Sequence, residues 1–341
     1  MKVILHDSTC AFLTPGGKTT HAHKLLQEIS KLGVDIQFAR WWDESQSDVD
    51  IIHFLDPAVN LARQAKARGI KTFYSMIFDF ASSLSNSKKY AQSIKYRLFA
   101  KLPKRISQCF GFWNALPYFD RIQFMHKYDK ITALKYFPSY IDQSKTIIIP
   151  HAYDPSEMYI SDELRIGEKG YPGKYLVSCA NISERKQSVL LARYAKLAKV
   201  PIVFMGSRNI NDPYFHRFEA EVDNKYVFYP GYVSREWRDC IERNASGYVL
   251  LSLSESGCIA VYEAAAYKIP LLLSNLPWAW GYDAATDISF CDFKFRDRAV
   301  EQLSIFYTNA AKLDHMPFNA LTWADVAKIY VEEYKKILAD G

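Results

Sequence analysis

Short apolar segments alternate with helical segments along most of this 341-residue chain, at a spacing of about 30 residues. This alternation is typical of parallel β-sheets whose strands are joined by crossover helices. In the first half it predicts strands at 2–5, 34–38, 49–54, 71–78, 131–133 and 146–149, and helices at 21–32 and 57–68. In the second half it predicts strands at 175–180, 201–205, 226–228, 248–253 and 271–273, and helices at 188–199, 259–267 and 323–338, with one more beginning after Ser234. Residues 81–125 interrupt the pattern and predict one or two helices.

The alternation pauses at residues 156–173, a polar stretch that contains several glycines. We predict a linker there, between a first domain over 1–155 and a second domain over 174–322. The length of the chain suits two domains of about 150 residues each, and both are large enough to bury a core. The predicted fold is α/β, with two Rossmann-like doubly wound parallel sheets that face a cleft. Ligands of such sheets bind beyond the carboxyl ends of the strands.

Several functional classes are disfavoured by motifs that the sequence lacks. The six cysteines form no C-x-x-C pair and no cluster with zinc spacing, which indicates buried thiols in a reducing compartment. No stretch reads as a signal peptide or a transmembrane helix, so we expect a cytoplasmic protein. The absence of a G-x-G-x-x-G fingerprint disfavours a nicotinamide-dependent enzyme. No D-x-D pair lies where a metal would be expected, so we expect neither a metal nor another cofactor.

The segment that follows the predicted strand 248–253 carries the most chemical information. Gly257 permits close approach of the backbone, and the helix that follows directs N–H groups and the positive end of its dipole towards the strand ends. Such a helix start suits an anion, in particular a diphosphate. Glu255 and Glu263 are eight residues apart and can bracket one ligand. Glu263 could instead be a solvated residue of the first helical turn.

Other predicted strands are also followed by residues that suit a phosphate or nucleotide ligand. Arg185 and Lys186 follow the strand 175–180 and could neutralise a leaving diphosphate, or they could merely cap the next helix. Gly206 ends the strand 201–205, and we expect residues that recognise the base at 206–209 and 231–233.

The pattern of this segment resembles the donor-site signature of the group 1 (family 4) GT-B glycosyltransferases. That signature consists of a Glu, seven residues, a Glu-Ala pair, small residues and a Pro. The resemblance implies that Glu255 contacts hydroxyls of the donor sugar and that Glu263 binds the ribose. It also implies that the backbone amides of Gly257, Cys258 and Ile259 hold the diphosphate.

The start of the second domain also resembles this family, which places an Arg directly after the first strand and a Lys a few residues later. Lys186 matches the Lys, Asn181 stands at the position of the Arg, and Arg185 would supply the missing charge. The chain departs from the family pattern at Ser256-Gly257-Cys258, where Gly-Phe-Gly is usual. It departs again at Ile269, where a Gly usually precedes the Pro.

The two ends of the chain resemble the same family. The Pro15-Gly16-Gly17 loop resembles its first-domain opening, which implies that Gly16 and Gly17 lie near the donor phosphates and the acceptor. The helix at 323–338 resembles a last helix that packs back on the first domain. Together the resemblance implies a metal-independent retaining hexosyltransferase. Such an enzyme moves a sugar from a nucleotide-diphosphate sugar to a glycan or glycolipid acceptor, as in the synthesis of surface polysaccharides.

The catalytic base is the weakest point of this resemblance. Many members of the family carry a His at the end of a first-domain strand, near the reacting carbon. The comparable stretch 75–79 has no His, and Asp79 is its nearest polar group. His151 is a second candidate, although a turn residue with satisfied hydrogen bonds is the simpler interpretation. The missing His leaves open an alternative, a catalytically silent GT-B-shaped protein that binds a nucleotide or a glycan.

The basic residues of the chain are concentrated in one segment. Residues 81–130 contain ten Lys or Arg and two Asp, a net charge of +8, while the rest of the chain carries −2. No nucleic-acid-binding motif accompanies this charge, so we expect no nucleic-acid partner.

Within residues 88–105 the basic side chains accompany an apolar helical face. The residues of that face recur every four positions and are Tyr90, Ile94, Leu98 and Leu102. A basic amphipathic helix suits an anionic membrane surface, so a peripheral position at the inner face of a membrane is one hypothesis. The alternatives are a core-packed helix with a solvated basic face and an electrostatic lip for an anionic acceptor.

Overall fold

The computed structural model describes residues 1–9, 16–76, 84–102, 111–158, 170–282 and 287–340. The chain divides into two compact units, one formed by Met1–His151 with Leu321–Gly341 and the other by Ala152–Ala320. In each unit the described residues form a six-stranded sheet in which every strand pair is parallel. Helices flank both sheets. The predicted α/β class with two doubly wound, Rossmann-like sheets is therefore confirmed.

The sheet of the first unit has the spatial order β2-β1-β3-β4-β5-β6. Its strands are β1 Lys2–His6, β2 Asp35–Phe38, β3 Ile51–Phe54, β4 Lys71–Ser75, β5 Arg121–Phe124 and β6 Thr146–Ile148. The helices before the second unit are α1 Gly17–Lys31, α2 Val59–Ala67, α3 Asn86–Ala100 and α4 Lys127–Tyr136. The strand order reverses between β1 and β3, so the carboxyl ends of these strands flank the place where doubly wound sheets bind ligands.

The sheet of the second unit has the spatial order β12-β11-β10-β7-β8-β9. Its strands are β7 Leu176–Cys179, β8 Ile202–Met205, β9 Val227–Gly231, β10 Gly247–Leu250, β11 Leu271–Ser274 and β12 Ile288–Cys291. Its helices are α5 Ser188–Ala198, α6 Pro213–Glu219, α7 Arg235–Asn244, α8 Ile259–Ala266 and α9 Arg296–Asn309. Here the order reverses between β7 and β10, which defines the switch point of this sheet.

Two apolar cores cover the two faces of the second sheet. Leu176 belongs to the core that includes Leu191 of α5 and Leu303 of α9. Its neighbour Val177 belongs to the opposite core, together with Val261 of α8. Because both faces are covered, the central strands β8, β10 and β11 are continuously apolar rather than alternating, which is why the sequence pattern located them.

The last helix, α10 Trp323–Ala339, belongs to the first unit and packs against α1. It places two tyrosines against the sheet: the hydroxyl of Tyr334 lies 2.6 Å from Nδ1 of His53, and that of Tyr330 lies 3.4 Å from Oγ of Ser75. Oγ of Ser75 is in turn 2.7 Å from Nε2 of His53. No helix in the described part of the chain is long and apolar enough to cross a membrane.

Several predicted elements were wrong or missed. Residues 131–133 are not a strand but part of α4, and 121–124 form β5 although they were assigned to helices. The helix expected from residue 21 begins at Gly17. Elements that the apolar pattern missed are α6, α9 and β12. At 121–124 and 131–133 the physical reason is that a short apolar run fits a strand and one helical turn equally well, so packing decides between them.

Candidate functional site

The site that the sequence singled out lies at the switch point of the second sheet. The segment after β7 carries Asn181, Arg185 and Lys186, and the segment after β10 leads through Glu255 into α8. Because β7 and β10 are neighbouring parallel strands, their carboxyl ends open at the same edge. The tertiary structure therefore brings together two segments that are far apart in the sequence.

The carboxylate of Glu255 is the centre of this site. Nζ of Lys186 lies 2.5 Å from its Oε1 atom, and Nη1 of Arg185 lies 2.8 Å from the same atom. The hydroxyl of Ser252 also donates a hydrogen bond to it. Glu255 and Lys186 are 6% and 8% exposed, whereas the Arg185 side chain is 41% exposed. The strong pair is thus Glu255 with Lys186, and Arg185 covers it from the solvent side.

The charges of these side chains set the ionisation of Glu255. Burial by itself would raise the pKa of Glu255, because a carboxylate loses hydration in the interior. The charges of Lys186 and Arg185 outweigh this effect and hold the pKa below its ordinary value. Glu255 is therefore an ionised acceptor of hydrogen bonds at neutral pH.

Backbone hydrogen bonds fix the two segments relative to each other. The backbone N–H of Leu253 donates to the carbonyl of Arg185 at 2.8 Å, and Nη1 of Arg185 donates to the carbonyl of Ser254 at 2.7 Å. The indole N–H of the fully buried Trp278 donates to the carbonyl of Ser252 at 2.9 Å. The site is thus held in place by the scaffold around it.

The N-terminus of α8 lies beside Lys186. Gly257 has a φ of +94°, a backbone conformation that favours glycine, and Cys258 occupies the N-cap position before Ile259. Nζ of Lys186 is 3.9 Å from Sγ of Cys258, so an ammonium group and the positive end of the helix dipole are adjacent. Burial raises the pKa of Cys258 to about 11, which keeps it a neutral thiol. This combination suits a phosphate group.

Glu263 has cationic partners of its own. Nη2 of Arg235 and Nη2 of Arg238 each lie 3.2 Å from its Oε1 atom. Its side chain is 12% exposed, so it is not the solvated residue of the alternative interpretation. Neither arginine was predicted from the sequence, although a basic pair at positions i and i+3 near the start of a helix was a usable signal.

Buried acids also interact with the two arginines. Asp239 is fully buried, and one of its carboxylate oxygens lies 3.2 Å from Nε of Arg235. Glu242 is also fully buried, and its charge, with that of Glu263, raises the pKa of Arg238 although burial would lower it. Burial raises the pKa of Glu242 itself. Glu263 is therefore anchored by a charge network that extends into the core.

Gly206 and Asn181 lie next to each other at the carboxyl edge. Gly206 has a φ of +148°, and a Cβ at this position would lie 2.1 Å from the carbonyl oxygen of Ala180. Only glycine lets the end of β8 pass this closely behind the end of β7. Asn181 follows directly and is exposed.

The predicted residues of the first unit have mixed outcomes. Gly16 is the N-cap of α1 and Gly17 its first residue, so these glycines form a helix start rather than the predicted loop. A Cβ at Gly16 would contact nothing within 4 Å, and its extended backbone does not require glycine. Asp79 lies outside the described residues. His151 is buried, with its Nδ1 3.2 Å from Nδ1 of His21.

A polar cluster that the sequence analysis missed lies at the switch point of the first sheet. Nζ of Lys18 is 2.7 Å from Oδ1 of Asp7, which follows β1, and 3.8 Å from Oδ2 of Asp56, which follows β3. Burial would raise the pKa of Asp56, but hydrogen bonds from His6 and Ser8 lower it to about 2. Polar residues directly after two neighbouring strands were the signal for this cluster.

The described residues contain no group of His, Cys, Asp or Glu side chains arranged to hold a metal ion. The positive charge beside Glu255 comes from Lys186, Arg185 and the start of α8.

Comparison with known proteins adds evidence on the fold. No protein-family model matches the sequence, and no curated protein is detectably similar to it. Sucrose-phosphate synthase from Thermosynechococcus elongatus has a similar structure, with 12% identity, full coverage of both chains and a TM-score of 0.74. HepE of Anabaena, solved in complex with UDP, has 12% identity, coverage of 100% of this chain and 98% of its own, and a TM-score of 0.67.

An α,α-trehalose-phosphate synthase (UDP-forming) from Burkholderia xenovorans, in complex with glucose-6-phosphate, is also similar in structure. It has 12% identity, coverage of 93% of this chain and 78% of its own, and a TM-score of 0.62. These similarities, together with the two doubly wound sheets, show that the chain has the two-domain GT-B fold of glycosyltransferases.

Proposed function

We propose that this protein is a retaining, metal-independent glycosyltransferase that uses a nucleotide-diphosphate sugar. The observation that carries the proposal is the convergence of Glu255, Lys186 and the start of α8 at the switch point of the second sheet. Such a site combines an ionised carboxylate, a buried ammonium and backbone N–H groups. These are the groups needed to hold sugar hydroxyls and to stabilise a leaving diphosphate.

Each residue has a distinct part in this proposal. Lys186 and Arg185, with the amides of Gly257, Cys258 and Ile259, hold the two phosphates and stabilise the negative charge that develops as the glycosidic bond to the donor breaks. Glu255 accepts hydrogen bonds from hydroxyls of the donor sugar.

The nucleoside is held farther along the same edge. Glu263 accepts hydrogen bonds from the ribose, and its arginine partners fix the carboxylate in place. Asn181 and Gly206 lie where the end of β8 opens, and we assign them to the nucleotide. Gly16 and Gly17, at the start of α1, are assigned to the donor phosphates and the acceptor.

The acceptor is proposed to be a glycan or a glycolipid, as in the synthesis of surface polysaccharides. Asp79 is the proposed group that receives the proton of the acceptor hydroxyl, unless the leaving diphosphate receives it on the same face. Retention at the anomeric carbon would follow from attack on the face that the diphosphate leaves. Proteins with the same fold were solved with UDP, with UDP and glucose, and with glucose-6-phosphate, which supports a nucleotide-sugar donor and a sugar acceptor.

A binding experiment tests the donor part of this proposal. Thermal shift and calorimetry with UDP, GDP and CMP, alone and as their sugars, should show that one nucleotide series binds. Glu255→Gln should weaken binding of the nucleotide sugar more than that of the free diphosphate, because Glu255 contacts the sugar. Lys186→Ala should weaken both. Lys294→Ala removes an exposed lysine from the same unit and is the matched control.

A second candidate is a GT-B-shaped protein that binds a nucleotide or a glycan without turnover. It is favoured by one observation, since Glu255 already accepts hydrogen bonds from Lys186, Arg185 and Ser252. Sugar hydroxyls would have to share or displace these donors. Release of the nucleoside diphosphate from a bound nucleotide sugar, lost in Lys186→Ala, supports the enzyme. Tight binding with no release supports the silent protein.

We also propose that the protein lies in the cytoplasm and associates with the inner face of a membrane through α3. This helix buries Lys89, Ser93 and Tyr96 and exposes the predicted apolar face. On that face Tyr90 is 64% exposed and Leu98 61% exposed. Residues 84–102 carry five Lys or Arg and no acidic residue. Each basic residue near an anionic bilayer contributes about 1 kcal/mol of attraction.

Vesicle flotation tests this association. The protein should float with phosphatidylglycerol vesicles and stay behind with phosphatidylcholine vesicles. Leu98→Ser in combination with Tyr90→Ser should abolish flotation, and so should Lys88→Gln with Lys95→Gln. Leu197→Ser removes an equally exposed leucine from α5 and is the control. Flotation that is absent, or unchanged in all of these variants, contradicts the proposal.

A further inference from the structure

Trp41 and Trp42 form an exposed pair of indole rings on the first unit. Trp41 is 93% exposed and Trp42 is 67% exposed, and their rings meet edge to face with centroids 5.5 Å apart. Tryptophan is normally well buried because its large apolar surface is costly to hydrate. Two exposed tryptophans in contact with each other therefore mark a surface that meets a partner.

A hydrogen-bonded turn holds the two rings in place. The backbone N–H of Asp43 donates to the carbonyl of Arg40 at 2.9 Å, so Trp41 and Trp42 occupy the corners of a β-turn. The backbone N–H of Arg40 donates to Oε1 of Gln46 at 2.8 Å, and its guanidinium lies 2.8 Å from the carboxylate of Asp43. Proline, glycine and small polar residues are usual at such corners. The turn is closed by its flanking residues, so the indole rings are not needed to stabilise it.

The turn lies at the edge of the sheet where ligands bind. It follows β2, whose Phe38 pairs with Leu5 of β1. The backbone N–H of Ala39 donates to the carbonyl of Leu5 at 2.9 Å, which keeps the turn beside the end of β1. Asp7 and its partner Lys18 lie at that same strand end. The two rings are therefore at the carboxyl edge of the first sheet, next to its switch point.

The charge around the pair decides which partner fits. Residues 35–50 contain five acidic side chains and one basic side chain, and the amino-terminal ammonium and Lys2 pair with two of these acids, which leaves the region with a net charge of −2. This charge repels an anionic bilayer and the phosphates of nucleic acid. A neutral sugar ring is compatible with it. The C–H groups of one pyranose face carry a small positive charge that is attracted to the negative face of an indole ring, and the hydroxyls can donate hydrogen bonds to nearby carboxylates.

We propose that Trp41 and Trp42 form a binding platform for a neutral glycan, whose sugar rings stack on the indoles. The proposal rests on the proposed function, because it assigns the acceptor of that reaction. Binding on this platform needs no residue of the second unit, so it can be measured without a donor. An anionic glycan should bind much more weakly, because the surrounding carboxylates repel it.

Calorimetric titration of the chain with chitohexaose, cellohexaose, maltohexaose and polygalacturonate tests the platform. At least one of the three neutral oligosaccharides should bind, and polygalacturonate should not. Trp41→Ala and Trp42→Ala should each weaken binding about three- to tenfold, the range expected for one aromatic contact. The double alanine variant should lose binding, and Trp41→Phe with Trp42→Phe should restore most of it.

The outcomes separate this inference from the proposed function. Circular dichroism and nucleotide thermal shifts should be the same for the double alanine variant and the unaltered chain. Glycan binding without any nucleotide binding would contradict the proposed use of a nucleotide-sugar donor and would still support the platform. The platform is overturned if the unaltered chain binds none of the neutral oligosaccharides or if the double alanine variant binds them equally well. It is also overturned if that variant instead loses association with lipid vesicles or with another protein.

Discussion

Nζ of Lys186 lies 2.5 Å from Oε1 of Glu255, and the two residues belong to segments that follow neighbouring strands of one sheet. Both side chains are almost completely buried. Burying two charges removes their hydration, and this loss offsets much of the attraction between them. The contribution of a buried ion pair to stability is therefore small. The proposed ligand binding therefore accounts for this pair better than a contribution to folding does.

Removing one member of this pair should destabilise the protein strongly. Glu255→Ala leaves Lys186 buried with the more exposed Arg185 beside it, and we expect a loss of about 3 kcal/mol in the free energy of unfolding. Lys186→Ala should have a similar effect on Glu255. The double variant should be closer to the unaltered protein than the sum of the two losses, because no uncompensated charge remains. Urea unfolding of all four proteins measures this, and additive losses would show that the pair is not coupled.

Arg238→Ala should weaken nucleotide binding indirectly. It leaves Glu263 in place but removes one of the two arginines that hold its carboxylate. Arg238 holds Glu263 from the buried side, while Arg235 is 35% exposed. We expect roughly a tenfold loss in affinity for the nucleotide, about 1.4 kcal/mol, and a smaller loss for Arg235→Ala. Calorimetry with the free nucleotide measures it. Arg238→Lys should not restore the affinity. The single nitrogen of lysine cannot contact Glu263 and the buried acids at the same time, as the several N–H groups of arginine can. Unchanged affinity in Arg238→Ala would contradict the assignment of Glu263 to nucleotide binding.

Gly206→Ala should destabilise the second unit and disturb the nucleotide end of the site. The added Cβ would lie 2.1 Å from the backbone carbonyl oxygen of Ala180, and the φ of +148° is unfavourable for a side chain. We expect a loss of about 2 kcal/mol or more in the free energy of unfolding. Gly173→Ala is the control, because its Cβ would contact nothing within 4 Å. Equal melting temperatures for the two variants would contradict this prediction.

Acid should destabilise the first unit below about pH 6.5, the ordinary pKa of histidine. Burial lowers the pKa of His53 to about 3, and burial together with the charge of His53 lowers that of His21 to about 3. The unfolded chain therefore binds these protons more readily than the folded chain. The stabilising effect is complete above pH 6.5 and is lost progressively as the pH falls towards 3, by about 1.4 kcal/mol per pH unit for each histidine.

Urea unfolding between pH 7.5 and 4.5 checks this slope. His53→Gln should lower stability at every pH, because it disturbs the hydrogen bonds to Tyr334 and Ser75. It should also reduce the slope of the free energy of unfolding against pH by the contribution of one histidine. A slope that stays the same in this variant would mean that His53 does not titrate in this range.

Much of the fold could be predicted because strands covered on both faces are continuously apolar. β10 and β11 were located for this reason. The helix expected after Ser234 begins at Arg235, and the Ser234 hydroxyl accepts a hydrogen bond from the backbone N–H of Trp237. The strand predicted at 131–133 was wrong, because these residues belong to α4. Ile131 is 57% exposed while Ala133 is fully buried, and this pattern arises only from how α4 packs on the sheet.

The sequence by itself determined that the chain forms doubly wound sheets and that Glu255, Lys186 and the start of a helix follow strands. These are local properties, set by apolar periodicity and by the residues that end each strand. Only the tertiary structure decided that Glu255 pairs with Lys186, that Glu263 is held by Arg235 and Arg238, and that Trp41 remains exposed. The physical reason is that such contacts depend on strand order and helix packing, which join residues that are distant along the chain.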